Sequence, residues 1–391
     1  MQDIIYPIVL DEIFDKLKKN NIKSLIVGGY VRDFLLKIDS KDIDIELYNT
    51  KDYRQIIEIV QEFGKVLQVG KSFGVVKLIL DDLDIDFTLP RVENKIAAGH
   101  KGFDIKIVPN LDYASAAKRR DFTINAIGYD VTKRSYIDPF DGIKDLQNKI
   151  LRQIDTQTFK EDPLRVFRAL QFSARFDLSI DKQLFVICSE MVRKGEMQTL
   201  PKERIYTEIE KLLIKARHPS KGFVLLKEMG LFHLFKELQQ IDTKRYNNTI
   251  YLLDNLELNE KRSDIKASVS AMLATLIAPL ENDAKVSFLK KLSDDKKLLN
   301  NIITLHSYLQ QPSYALAMKL DIDTFRLYLK IHKVKNITYL CNAIAPKIDG
   351  KYLIKMGKKP SKEFSKILDQ HYQQQIEKIK NLLKIQSLMY L

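Results

Sequence analysis

Short apolar runs punctuate the first 150 positions: SLIVGG at 24–29, DIDIEL at 42–47, VVKLIL at 75–80 and LDIDFTL at 83–89. Runs of this length, rich in β-branched residues and partly alternating, predict strands. Gly28, Gly29, Gly70 and Gly74 mark turns between them. Helical spacing falls at about 5–20, 30–37 and 51–63. After Asp141 the texture changes. From about 158 onward apolar residues recur three and four positions apart, and the alternation is gone. The pattern predicts an α+β chain: a head with a small mixed sheet over 1–150, a helical neck over 151–218, a helical body over 219–310 and a helical tail over 311–391.

A chain of 391 residues exceeds one compact core, which agrees with several domains. No apolar run is long enough for a membrane-spanning helix. The segment MQDIIYPIVLDEIFDKLKKN has early acids and no small-residue cleavage site, so it is expected to form an amphipathic helix and not a signal peptide. Cys188 and Cys341 follow no metal-ligand spacing, which points to a reduced protein of the cytoplasm. The net charge of +13 favours a polyanionic partner, nucleic acid before a membrane surface. Many basic proteins bind no nucleic acid, so charge alone does not decide. Nothing in the sequence calls for an obligatory protein partner or a membrane.

The chemistry begins with KDIDIE. On a strand, residues i and i+2 share a face, so Asp42 and Asp44 present carboxylates together while Ile43 and Ile45 face a core. Two adjacent carboxylates repel unless a cation lies between them, and Mg²⁺ takes hard oxygen ligands. A lone D-x-D is common on surface strands, so its neighbours matter. Gly28 and Gly29 end a strand before a helix, leaving backbone N–H groups free to approach phosphate. Arg32 can clamp phosphate oxygens, and Asp33 is expected to order the turn. Asp86 is the candidate third acid, with Asp84 on the same face as its rival.

GGYVRD at 28–33, KDIDIE at 41–46, RRDFTINA at 119–126, DPFDGIKDL at 138–146 and EDPLRVFRALQF at 161–172 occur in that order. The ordered set resembles the class II family of tRNA CCA-adding enzymes and bacterial poly(A) polymerases. The resemblance covers about 20–215; DGKYLIKMGKKPSKEFSKIL at 349–368 also looks like that family's C-terminal segment. It implies a polymerase-β-like nucleotidyltransferase head, tRNA as partner, and CTP and ATP as substrates. Residue by residue, it implies nucleotide binding by Gly29 and Arg32, Mg²⁺ ligation by Asp42 and Asp44, and a triphosphate contact at Arg120. Asp121 and Asn125 match residues near the ribose. Asp162, Arg165 and Arg168 match the helix that recognises nucleotide and base. Some members carry an arginine where this chain has Gln171, so Gln171 is left out of the site. Glu203, Arg204 and Glu208 resemble a segment that braces the recognition helix.

The implied reaction is attack of the tRNA 3′-hydroxyl on the nucleotide α-phosphate with release of pyrophosphate. Cytosine and adenine both offer an amine donor beside an acceptor ring nitrogen; guanine and uracil reverse that order. A carboxylate beside a guanidinium, Asp162 with Arg165, complements the first pattern and leaves the second unpaired. Two plainer readings stand beside this one. Asp162 precedes Pro163, a common helix start, and Arg165 with Arg168 at i, i+3 can form an ordinary exposed basic face.

Residues 91–118 resemble a loop found in enzymes that add the final A; otherwise they form one long connection. His100 is expected to be a loop residue. MLATLIAPLENDAK at 272–285 stands where some relatives carry an adjacent His-Asp pair of a phosphohydrolase domain. No adjacent His-Asp occurs in the chain, and His218, His233, His306, His332 and His371 are scattered, so no phosphohydrolase activity is expected. The tail is lysine-rich, with Lys351, Lys355, Lys358, Lys359, Lys362 and Lys366 as candidates to meet an RNA backbone or to form a solvated face. The rivals are a poly(A) polymerase, an enzyme adding only CC or only A, and a non-catalytic RNA-binding protein.

Overall fold

The computed structural model describes residues 2–69, 74–81, 83–95, 103–254, 265–310 and 350–359, with scattered positions between 320 and 375. The first helix, α1 (Val9–Lys19), buries Leu10, Ile13, Phe14 and Leu17, the stripe that three- and four-residue spacing dictates. It starts later than position 5 because the preceding segment is tied down elsewhere. Asp3 accepts from Tyr129 Oη at 3.2 Å, and the Ile5 carbonyl accepts from Tyr30 Oη at 2.9 Å.

The head continues through β1 (Lys23–Val27), α2 (Gly29–Leu35), β2 (Asp42–Tyr48), α3 (Tyr53–Val60), β3 (Lys65–Val69), β4 (Val75–Leu80) and β5 (Leu83–Thr88). The Asp52 side chain caps α3 by accepting from the Arg54 N–H. A hairpin of β6 (Arg91–Lys95) and β7 (Phe103–Ile107) follows, then α4 (Tyr113–Ala117), β8 (Gly128–Asp130), β9 (Ser135–Ile137) and α5 (Gly142–Gln147). The long connection expected at 91–118 is therefore largely a hairpin and a helix; Gly99, His100, Lys101 and Gly102 lie outside the described residues.

Seven strands form one mixed sheet in the order β3-β4-β5-β2-β1-β8-β9. β2 and β5 run parallel, and the other neighbours pair antiparallel. Ile43, Ile45 and Leu47 of β2 and Ile85 and Phe87 of β5 are buried on one face. The other face packs Leu25, Val27 and Tyr48 against Tyr113, Ala117 and Ala126, and beyond this small core it carries Asp42 and Asp44. A Cβ on Gly128 would lie 2.7 Å from the Tyr113 ring, so the close approach of α4 to the sheet needs glycine there.

Beyond the head the described elements are helices apart from one two-residue parallel pairing, β10 (Ile150–Leu151) with β11 (Ser179–Ile180). Around it lie α6 (Thr156–Lys160), α7 (Leu164–Arg175), α8 (Lys182–Arg193), α9 (Lys202–Lys215) and α10 (Pro219–Glu228). Then come α11 (Thr243–Asp254), α12 (Ile265–Leu276), α13 (Asn282–Leu292), α14 (Lys296–Gln310) and α15 (Gly350–Lys355). The chain divides into two compact units, Met1–Glu208 with Val224–Leu234, and Ile209–Phe223 with Phe235–Leu391. In the second unit, Glu237 accepts from Ser287 Oγ at 2.6 Å and Lys291 Nζ at 2.8 Å, and Tyr246 Oη donates to the Phe223 carbonyl at 2.9 Å.

Candidate active site

A cleft of about 410 Å³ opens in the first unit. Its walls include Gly29, Arg32, Asp44, Arg120, Asp121 and Asn125 from the head, and Asp162, Arg165 and Arg168 from the start of α7. Of the residues singled out from sequence, Asp42 and Asp86 do not line it. They flank Asp44 on the sheet: Asp42 is exposed two residues away, and Asp86 is the register partner of Asp44 on β5.

Register settles how the two candidate third acids sit. Asp86 lies beside Asp44, whereas Asp84 lies beside Asp42. Lys77 of β4 reaches both, at 3.3 Å from Asp86 Oδ1 and 3.4 Å from Asp84 Oδ2. Burial raises the Asp44 carboxyl above its ordinary value; Arg120 opposes this, and Asp86 and Asp42 add to it. A carboxylate so crowded by others suits a cation. Among the described residues no three acidic, histidine or cysteine side chains converge as a cage. Two aspartates on one strand face offer the hard oxygen donors that suit a divalent cation completed by other ligands.

Gly28 has φ of +72°, in the left-handed region that favours glycine. A Cβ there would lie 2.5 Å from Arg120 Nη1, so the same glycine lets Arg120 lie against the β1–α2 turn. Arg120 Nη1 donates to the Asn125 carbonyl at 3.1 Å. The neighbouring Arg119, which also lines the cleft, pairs with the buried Glu46 at 3.2 Å.

Arg32, a candidate to clamp phosphate oxygens, lines the cleft and is engaged by protein partners. It is only 5% exposed. Nε and Nη2 donate to Asp33 Oδ1 at 2.8 and 2.6 Å, and Nη1 donates to Asn125 Oδ1 at 2.5 Å. Its guanidinium lies 4.5 Å from the Phe176 ring centre. Asn125 passes the link on, donating to Asp121 Oδ1 at 2.9 Å, and Asp121 Oδ2 accepts from Arg168 Nε at 2.6 Å. Burial would raise the Asp121 carboxyl, but Arg168 and the Asn125 amide outweigh it and hold it below the usual range. Asp121 thus spends its oxygens on orienting neighbours.

Asp162 serves as the cap that its place before Pro163 suggests, accepting from the Leu164 N–H at 3.1 Å. Its other oxygen accepts from Arg204 Nη2 at 3.1 Å. Arg165 donates to the Thr158 and Arg119 carbonyls, both at 2.5 Å. The two side chains do not pair with each other; each is held by other partners. A carboxylate has about four lone-pair sites and a guanidinium five donors, so both retain capacity toward the cleft.

Residues 24–152 match the family described as poly A polymerase head domain, and 177–241 match the one described as probable RNA and SrmB-binding site of polymerase A. A multifunctional CCA protein of Mannheimia succiniciproducens is 37% identical over 56% of this chain and 50% of its own length. A CCA-adding enzyme of Actinobacillus succinogenes is 30% identical over 80% of this chain and 76% of its own. The chain belongs to the family of CCA-adding tRNA nucleotidyltransferases and poly(A) polymerases. It spans about half the length of the first curated relatives it matches. The fold is likewise that of solved members: a Thermotoga maritima CCA-adding enzyme complexed with tRNA superposes with a TM-score of 0.59 at 22% identity, covering 94% of this chain and 92% of that one.

Membership of this nucleotidyltransferase family implies dependence on a divalent metal, and Asp42 with Asp44 are the donors that fit one. Four lining residues, Arg119, Leu164, Phe172 and Arg204, were not singled out as site residues from the sequence. Arg119 is marked only by the doubled arginine of RRDFTINA. Arg204, read as a brace for the recognition helix, does hold Asp162 at the start of α7, and it also lines the cleft.

Proposed function

We propose that this chain adds C, C and A in turn to the 3′ end of tRNA in the cytoplasm, drawing on CTP and ATP and using Mg²⁺. One observation carries the reading: Asp44 and Gly29, suited to metal and phosphate, share a cleft with Asp162 and Arg165, suited to a base edge. In the reaction a bond forms between the RNA 3′-oxygen and the α-phosphorus, the α–β phosphoanhydride breaks, and pyrophosphate leaves. Mg²⁺ held by Asp42 and Asp44 would lower the pKa of the attacking hydroxyl and neutralise charge on the leaving oxygens. Asp86, in register with Asp44, is the candidate third acid, with Asp84 beside Asp42 as its rival.

The remaining residues position the substrate. The Gly28–Gly29 turn and Arg120 receive the triphosphate. Arg32, Asn125, Asp121 and Arg168 form the wall linking α2 to α7, against which the ribose rests. Asp162 accepts from the exocyclic amine and Arg165 donates to the ring nitrogen, so guanine and uracil leave both unpaired. Lys351, Lys355, Lys358, Lys359 and Lys366 are exposed and suit an RNA backbone; Lys362 lies outside the described residues.

The test offers full-length chain a tRNA lacking CCA, with each labelled nucleoside triphosphate and Mg²⁺. Three additions, C before A, are expected. Long A tails would make it a poly(A) polymerase, arrest after CC a partial enzyme, and no incorporation a binding protein. Asp42→Ala or Asp44→Ala should abolish incorporation while tRNA binding persists, and Arg165→Ala should admit GTP and UTP.

A further inference from the structure

Four aspartates crowd one face of the sheet. Asp42 and Asp44 on β2 stand directly beside Asp84 and Asp86 on β5, across a strand spacing of about 4.8 Å. Like charges so placed repel one another. Arg119 and Arg120 bear on Asp44 from the other flank. On the β5 side the cation is Lys77, in register with Asp86. Its ammonium bridges Asp86 and Asp84, and its side chain is 26% exposed.

We infer that Lys77 is a positioning residue acting through Asp86: it withholds the third carboxylate from divalent ions, so the nucleotide-free enzyme holds its ion on Asp42 and Asp44 alone. The inference rests on the reading of Asp42 and Asp44 as the metal pair. A divalent ion drawn to Asp86 Oδ1 would share that oxygen with an ammonium 3.3 Å away, and two cations on one oxygen repel. Mg²⁺ takes its remaining ligands from water and substrate phosphates. With Lys77 held against the Asp86 carboxylate at Oδ1, the site stays short of protein oxygens until a triphosphate arrives. Ion loading is thereby coupled to nucleotide loading. Were Lys77 acting only as a nearby positive charge and not through Asp86, its removal would tighten ion binding equally with Asp86→Asn in place.

The experiment titrates Mn²⁺ into the full chain without nucleotide, reading free ion by electron paramagnetic resonance. Lys77→Gln should tighten binding about tenfold, the scale on which groups behind metal ligands act. Lys77→Arg, which keeps the charge, should bind like the wild type. Asp86→Asn alone should also bind like the wild type, and Lys77→Gln with Asp86→Asn should lose the gain. An unchanged affinity in Lys77→Gln, or a loss in Asp86→Asn as deep as that in Asp42→Asn, would overturn the inference. Undiminished binding in Asp42→Asn would instead overturn the metal-pair reading beneath it.

Discussion

At Asp44 a single side chain carries a conflict between folding and chemistry. Burial raises its carboxyl, and Asp86 and Asp42 push in the same direction against Arg120. A raised folded value means stability that is full below the ordinary 3.8 and lost as pH rises through the raised value. At pH 7 the ionised side chain therefore strains the metal-free fold. Asp44→Asn should melt at a higher temperature than the wild type near pH 7 in chelator, with the gap closing as the solution is acidified. A variant that melts lower at neutral pH, or a gap that widens in acid, would refute this. Asp42 and Asp44 were legible because a period of two alone sets them on one face. The order of Asp84 and Asp86 was not, because it depends on the register between β2 and β5, a pairing across about forty residues that no local pattern encodes.

Among elements, α2 and α7 are tied by a chain of polar contacts. Arg168 holds Asp121, Asp121 holds Asn125, and Asn125 holds Arg32. Asn125 is the middle link and is 7% exposed. Asn125→Ala would leave a buried guanidinium and a buried carboxylate each short of a partner, at about 1–3 kcal/mol for each group so stranded. The expected result is a lower denaturant midpoint, an unchanged slope, and a higher KM for CTP and ATP alike. An unchanged midpoint would mean that water or side-chain shifts replace the link. The helix α7 was readable from EDPLRVFRALQF and the N-terminal sheet from its apolar runs. The strands β8 and β9 were not, since GYD and SYI are three residues each and become strands only by pairing, β8 with β1 and β9 with β8. The burial of Arg32 was hidden for a related reason: GGYVRD marks a turn and a charge, but only the packing of Phe176 and Asn125 reveals that the charge is buried.

Across the whole molecule, motifs spread over nearly 150 positions converge on one cleft, while Ile209–Phe223 and Phe235–Leu391 form a second compact unit. Their order in the chain was visible; their convergence is a property of the sheet order and the return of α7. The two units also carry different titrating groups. In the second, His306 of α14 is 4% exposed; burial lowers its pKa, Lys285 lowers it further, and a contact to the Ala274 backbone opposes them. A lowered histidine gives stability that is present above the ordinary 6.5 and lost as pH falls through the folded value. In the first unit, the lowered Asp121 loses its contribution only below the ordinary 3.8, and Asp44 works in the opposite sense. Acid should therefore loosen the helical unit first. Hydrogen exchange read by mass spectrometry should find α12 and α14 losing protection just below pH 6.5 while β1, β2 and β5 keep theirs into the carboxylate range. His306→Leu should remove that early loss, because an apolar side chain there has no proton to bind. Head strands that open first, or an early loss that survives His306→Leu, would place the acid-sensitive group elsewhere.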